Sequence, residues 1–355
     1  MAYTNIDDSS VHFQTALYTG LGTAKSVTND GNSNLKPDLI WFKNRPSTVS
    51  HAFYDTNRGV NKFLALDQNT SAETTTASGY ELTSFDTNGF SLGLNQFGTN
   101  NQDNTQYYAA WQWKANGGTT ASNTDGGITT TVQANTDAGF SIVTYTGTGS
   151  SNTIGHGLGV APDMMIVKNR SGAYNWAVYH KDSNSSPEDY YAQLNTNNAF
   201  SLATDIFGTS SATSSVIGVK NFNETNASGS NYVAYCFAEK QGYSQFGSYV
   251  GNGSPNGMCV YTSFKPAFIM VKKSNSTGGW VINDSKRIGH NPNNYDLYAN
   301  ANSAEEDNDR FDLLSNGFKA RSTSSPSNSV GAIYIYMAFA ENPFVTSTGI
   351  PTTAR

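Results

Sequence analysis

The chain has 355 residues, only 14% of them charged, with a formal net charge of −6. That balance excludes a basic face for nucleic acid or anionic membranes, and two cysteines are too few for a secreted disulfide framework. With 33 Gly, 20 Tyr, 19 Phe and abundant Asn, Ser and Thr, it is too aromatic and too weakly charged for a disordered chain.

In chain order, "MAYTNIDDSS" has neither a basic n-region nor an apolar h-region. It is expected to carry no secretory signal, with synthesis in a cytoplasm. "LYTGLGT" follows at 17, then "KPDLIWFKNR" at 36 to 45, "HAFYD" at 51 and "YAAWQWKA" at 108 to 115. The Gly-, Thr- and Asn-rich stretch from 116 to 137 is expected to be a linker or surface loop. "TYTGTGS" at 144, "APDMMIVKNRSGAYNW" at 161, "WAVYH" at 176 and "YVAYCFAE" at 232 come next. The chain closes with "SYVGNGS" at 248, "KPAFIMVKKS" at 265, "WVIND" at 280 and "YIYMAFAE" at 334. The apolar runs are far below membrane-spanning length.

These segments are three copies of one unit. Pro37, Pro162 and Pro266 lie 125 and 104 residues apart, and 14 residues beyond each stand His51, Trp176 and Trp280. Gly93 and Gly218 both follow their prolines by 56 residues, and Phe97 and Phe222 by 60. Tyr108, Tyr232 and Tyr334 follow by 71, 70 and 68. Such repeats exceed solenoid length, so each is expected to be a domain. The periodicity within a unit is two. In "YVAYCFAEK", Tyr232, Ala234, Cys236 and Ala238 face one way, and Val233, Tyr235 and Phe237 the other. Both faces are apolar, which predicts a central strand covered on each side. "DMMIVKN" reads the same way, ending where Lys168, Asn169 and Arg170 are expected to reach solvent. "DTNGF" and "LSNGF" supply turns. "SAEEDNDRFDLL" comes closest to helical spacing, enough for one turn. The fold expected is all-β, with three tandem β-sandwich or jelly-roll domains at 1–115, 138–240 and 241–344 and a C-terminal tail at 345–355.

The segment "YTGTGS…IGHGLGVAPDMMIVKNRSGAYNWAVYH" resembles a repeated domain of unassigned function from virion structural proteins of tailed phages of marine bacteria and cyanobacteria. "HAFYDTNRG", "LTSFDTNGFSLG", "YYAAWQWKANGG" and "AFAENPFVTSTGIPTTAR" fit that pattern too, so the resemblance covers nearly the whole chain. It implies a concanavalin A-like sandwich and a place on the virion surface, tail-fibre-like, with other tail or capsid proteins as partners. It supplies no catalytic residues to transfer. The third unit departs most, lacking the "HGLG" and "YDTNRG" elements.

No catalytic constellation emerges. His12, His51, His156, His180 and His290 do not cluster, and no nucleophile elbow, zinc pair or phosphate loop is present. His51 shares its repeat position with two tryptophans, which suits a packing slot, and His156 reads as a turn residue. "YTGTGS" reads as a hairpin turn. Glu239 and Glu341 recur at strand ends, where exposure accounts for them, and Glu305 to Asp309 reads as a solvated charge run rather than a calcium loop. Paired carboxylates for glycoside hydrolysis are not apparent, and no cofactor or metal is expected. Cys236 and Cys259 are each expected to be buried free thiols. For glycan contact the non-repeated aromatic and amide residues are the candidates: Tyr174, Tyr190, Tyr191, Phe222 and Asn226. The expected function is a non-enzymatic virion protein of the tail or fibres that contributes to assembly and to attachment to host-surface polysaccharide. The alternatives are a capsid decoration or head-fibre protein and, more weakly, a polysaccharide depolymerase. Three units in one chain suit either a pseudo-threefold body or oligomerisation through strand edges.

Overall fold

The computed structural model describes residues 3–69, 72–208 and 212–352. The chain is 44% strand and 4% helix, as its β-branched and aromatic content requires, and all of its named strand pairs are antiparallel. Each repeat builds one large sheet on the same plan. In the first, the order is Phe13–Thr19, Tyr107–Trp113, Leu39–Asn44, Ala52–Asp55, Lys62–Ala65, Thr74–Thr75. In the second, Phe140–Thr146, Asn231–Phe237, Met164–Asn169, Trp176–His180 and Tyr190–Gln193 run in that order, and in the third Ser244–Val250, Ile333–Pro343, Phe264–Lys273, Trp280–Asp284 and Asn293–Tyr298.

Two expectations change here. The stretch expected as a linker contains strands Ala121–Asn123 and Thr130–Asn135, and the latter pairs with Phe140–Thr146 to extend the second sheet. "SAEEDNDRFDLL" contains not a helical turn but the whole strand Glu306–Leu314, paired on both sides.

The first two repeats each have a small core of their own. In the first, Ile40, Phe42, Tyr54 and Ala110 of the large sheet meet Val27, Leu82, Phe90 and Leu92 of an outer three-stranded sheet. In the second, Met165, Val167, Ala234 and Cys236 meet Ile154, Ile217 and Val219 of an outer two-stranded ribbon. That ribbon is tight: a Cβ on Gly218 would lie 2.3 Å from the Gly208 backbone, so the repeated glycine is sterically required.

The alternate residues of the same strands enter a different core. Leu39, Trp41, Trp111 and Trp113 of the first repeat, Ile166, Trp176, Tyr235 and Phe237 of the second, and Phe268, Met270, Trp280 and Phe339 of the third form one continuous cluster. In the first two repeats the doubly apolar strands are therefore explained: one face fills the repeat's own core and the other a core shared by all three, whereas in the third both faces, as with Ile269 and Met270, join the shared core. Trp113, Phe237 and Phe339, which hold equivalent positions five residues after Tyr108, Tyr232 and Tyr334, converge with ring centroids 5.6–6.4 Å apart. They mark a pseudo-threefold axis.

Candidate functional site

Around that axis the repeats meet at three seams, and the same contacts recur at each. The position 14 residues past each proline donates its ring N–H to the neighbouring repeat: Trp176 Nε1 to Ala65 O at 3.0 Å, Trp280 Nε1 to Gln193 O at 3.1 Å, and His51 Nε2 to Ala301 O at 3.1 Å. Backbone links follow, from Glu73 N to Arg170 O, Phe200 N to Ser274 O and Glu305 N to Arg45 O, at 3.0, 2.9 and 2.7 Å. The first repeat thus leans on the second, the second on the third and the third on the first, closing a ring of heterologous contacts.

The expected exposure of the Lys-Asn-Arg strand ends does not hold: Arg45 and Arg170 cross the seams, while Asn44 and Asn169 are held inside their own repeats by Tyr108 and Tyr232. Lys43, Lys168 and Lys272 are fully buried, as are Asn44 and Asn169. Arg170 forms a two-point ion pair with Glu73, at 2.9 and 3.0 Å, and Arg45 does the same with Glu305, both bonds at 2.9 Å. Glu305 is accordingly a seam residue rather than part of a solvated run. Behind each pair sits a second arginine. Arg58 reaches Asp55, Glu73 and the Phe53 carbonyl; Arg287 reaches Asp284, Glu305 and the Ile282 carbonyl. Asp55 accepts from Tyr235 Oη at 2.7 Å and Asp284 from Trp111 Nε1 at 3.1 Å, each from the adjoining repeat. The third seam uses neutral groups at the equivalent places: His180 Nε2 donates to Tyr336 O at 3.2 Å, and Phe200 and Ser274 stand where the others carry Glu and Arg.

Three histidines are held in one neutral tautomer. Nδ1 accepts from Trp41 Nε1 in His51, from Leu158 N in His156 and from Asp182 N in His180, leaving Nε2 to donate to a carbonyl. Protonating Nδ1 would forfeit that bond, and burial holds all three below the usual histidine range, His180 at about 3. They are framework groups. Burial also lowers the three lysines, Lys43 and Lys168 to about 8 and Lys272 to about 7; carboxylates oppose the shift at the first two, while Lys273 adds to it at the third. Lys168 and Lys272 lie 5.8 and 5.9 Å from the ring centres of Trp176 and Trp280.

The five expected glycan contacts are not brought together on one exposed platform. Tyr190 and Tyr191 occupy one strand and point to opposite cores, half-buried against the shared cluster and the second repeat's cluster respectively. Phe222 also packs on the latter, and Tyr174 is half-buried in the loop after Arg170. Asn226 is fully buried: it accepts from Thr148 N at 2.8 Å and donates to Ser150 O at 2.6 Å. Asn101 and Asn328 pin the corresponding loops of the other repeats in the same way. The "YTGTGS" segment is thus a pinned bend between two sheets, since Phe140–Thr146 and Asn152–Gly155 pair with different partners. Cys236 is a buried free thiol as expected, whereas Cys259 is free and exposed.

A concave polar feature lies elsewhere, between the first and third repeats. It is a cleft of about 350 Å³ with Phe13, Ala267 and Ala340 in its lining. Ion pairs flank it, Lys286 with Asp30 at 2.7 Å and Lys265 with Glu341 at 2.8 Å, and Gln14, Asn32 and Asn342 add amide groups. Sequence reasoning missed it because its walls come from segments more than 200 residues apart; the recurrence of Glu341 was the sole local signal. Among the described residues, no group of three or more His, Cys, Asp or Glu side chains is placed to hold a metal ion, and no helix is long and apolar enough to cross a membrane.

The family model described as Domain of unknown function (DUF7483) matches residues 8–343, all three repeats in a single span. No curated protein matches the chain.

Proposed function

From a chain that belongs to the DUF7483 family, we propose a non-enzymatic structural protein of a virion, associated with the tail or its fibres, that aids assembly and attachment to host-surface glycans. The observation that carries this reading is the closed ring of seams. Ionisable groups that an enzyme would keep poised for substrate are here committed between repeats, where they rigidify a pseudo-threefold body. A fused three-repeat ring presents three similar loop ends in fixed geometry, which suits docking on a symmetric assembly. The weakly charged, amide- and hydroxyl-rich composition suits contact with polysaccharide. The cleft between the first and third repeats is the place we assign to the saccharide, because its lining combines apolar side chains with amide and charged groups.

Tagged copies of the chain on purified virions should label the tail. Label confined to the head would favour a decoration or head-fibre role, and virions without the chain would end the virion reading. Purified chain should block adsorption of phage to its host, and Asn32→Ala with Lys286→Ala, both at exposed positions of the cleft, should weaken that block at unchanged thermal stability.

A further inference from the structure

The three buried lysines occupy equivalent strand ends, but their surroundings differ at two places. Immediately before His51, Trp176 and Trp280 stand Ser50, Asn175 and Gly279; two residues before Asn101, Asn226 and Asn328 stand Thr99, Glu224 and Pro326. The second repeat thus places a carboxamide, Asn175, and a carboxyl, Glu224, at these positions beside Lys168. Lys168 Nζ donates to the Tyr174 carbonyl, the peptide group that leads into Asn175. The Asn175 carboxamide is held at both ends. Its Oδ1 accepts from Asn195 Nδ2 at 2.9 Å, and its Nδ2 donates to Glu224 Oε1 at 3.3 Å. Asn195 is itself fixed by accepting from Trp176 N at 2.9 Å. Lys168 is fully buried, and Glu224 and Asn195 are less than a tenth exposed.

We propose that Lys168 and Asn175 join in an intramolecular isopeptide bond, with Glu224 as the acid–base group. The Glu224 carboxylate first takes a proton from the Lys168 ammonium. The Nζ lone pair then attacks Asn175 Cγ, forming a C–N bond while Oδ1 takes up negative charge facing the Asn195 donor. Collapse breaks the Cγ–Nδ2 bond, Glu224 protonates the departing Nδ2, and the former lysine nitrogen returns a proton to Glu224. An amine and a primary amide become a secondary amide and ammonia, with no change of oxidation state and no co-reactant. Burial favours the uncharged pair that starts the sequence, raising Glu224 and lowering Lys168 to about 8. The bond would close the loop that carries Arg170, and so stiffen the seam with the first repeat.

The intact mass of the full-length protein is expected to fall short of the sequence mass by one ammonia. Tandem spectra of a digest should show a branched peptide joining residues 168 and 175, with Lys43 and Lys272 unmodified as internal controls. Glu224→Gln and Asn175→Ala should each restore the full mass. A wild-type chain at its sequence mass, or an ammonia loss without the branched peptide, as a cyclised asparagine would give, overturns the bond. A branched peptide that persists in Glu224→Gln overturns the role of the carboxyl. The wild-type measurement decides the bond even where a variant does not fold.

Discussion

Lys272 shows what burial does to a residue that ordinarily tolerates any surface. Its ammonium lies over Trp280 and donates to the Lys273 carbonyl, and the neighbouring Lys273 charge adds to the cost of burial. Its folded pKa, about 7, lies below the unfolded value. The unfolded chain therefore binds more protons between about pH 7 and 10, and stability should rise with pH across that window. Lys272→Met, which keeps the stem and drops the charge, is expected to raise the urea midpoint at pH 7 and to flatten this rise. A gain on the order of 1–3 kcal/mol is anticipated. Trp113 stands at the opposite extreme, an indole at the pseudo-threefold axis beside Phe237 and Phe339. Trp113→Ala should cost about 3–5 kcal/mol in equilibrium unfolding, because no single repeat can collapse to refill the space.

At the level of elements, the seams differ in chemistry while sharing a geometry. Those between repeats one and two and between three and one each bury an Arg–Asp pair that also holds a glutamate. Removing one partner strands the others without water, so Arg58→Ala should lose about 3–5 kcal/mol by denaturant titration. The seam between repeats two and three has His180 instead. Its folded pKa is depressed to about 3 by burial, so its neutral contribution is complete above the unfolded value near 6.5 and is lost as pH falls towards 3. Hydrogen exchange is expected to show the strands Trp176–His180 and Ile333–Pro343 less protected at pH 4 than at pH 7. His180→Gln should reduce that difference. The strands themselves were readable from alternation: Tyr232 to Ala238 divide between two cores as the pattern predicts. The polar strand ends were not, because a Lys or Arg after an apolar run reads as solvent-bound until its partner is known.

For the whole molecule, the shared core changes what a repeat is. Taken alone, residues 138–240 would expose Ile166, Trp176, Val178, Tyr235 and Phe237, all now buried. An apolar face of that size favours self-association over a soluble monomer. Expressed by itself, this segment is expected to aggregate or to form a trimer that imitates the ring; a stable, dispersed monomer by sedimentation would contradict the shared-core description. The sequence by itself determined the strands, their two apolar faces and the threefold recurrence of markers, because these follow from side-chain alternation and turn chemistry within a few residues. Only the tertiary structure decided which face is shared, why His51 can replace a tryptophan, and where the charged strand ends go. Arg170 finds Glu73 across 97 residues and Arg45 finds Glu305 across 260. Such partners are chosen by closure of the ring, which no local pattern encodes.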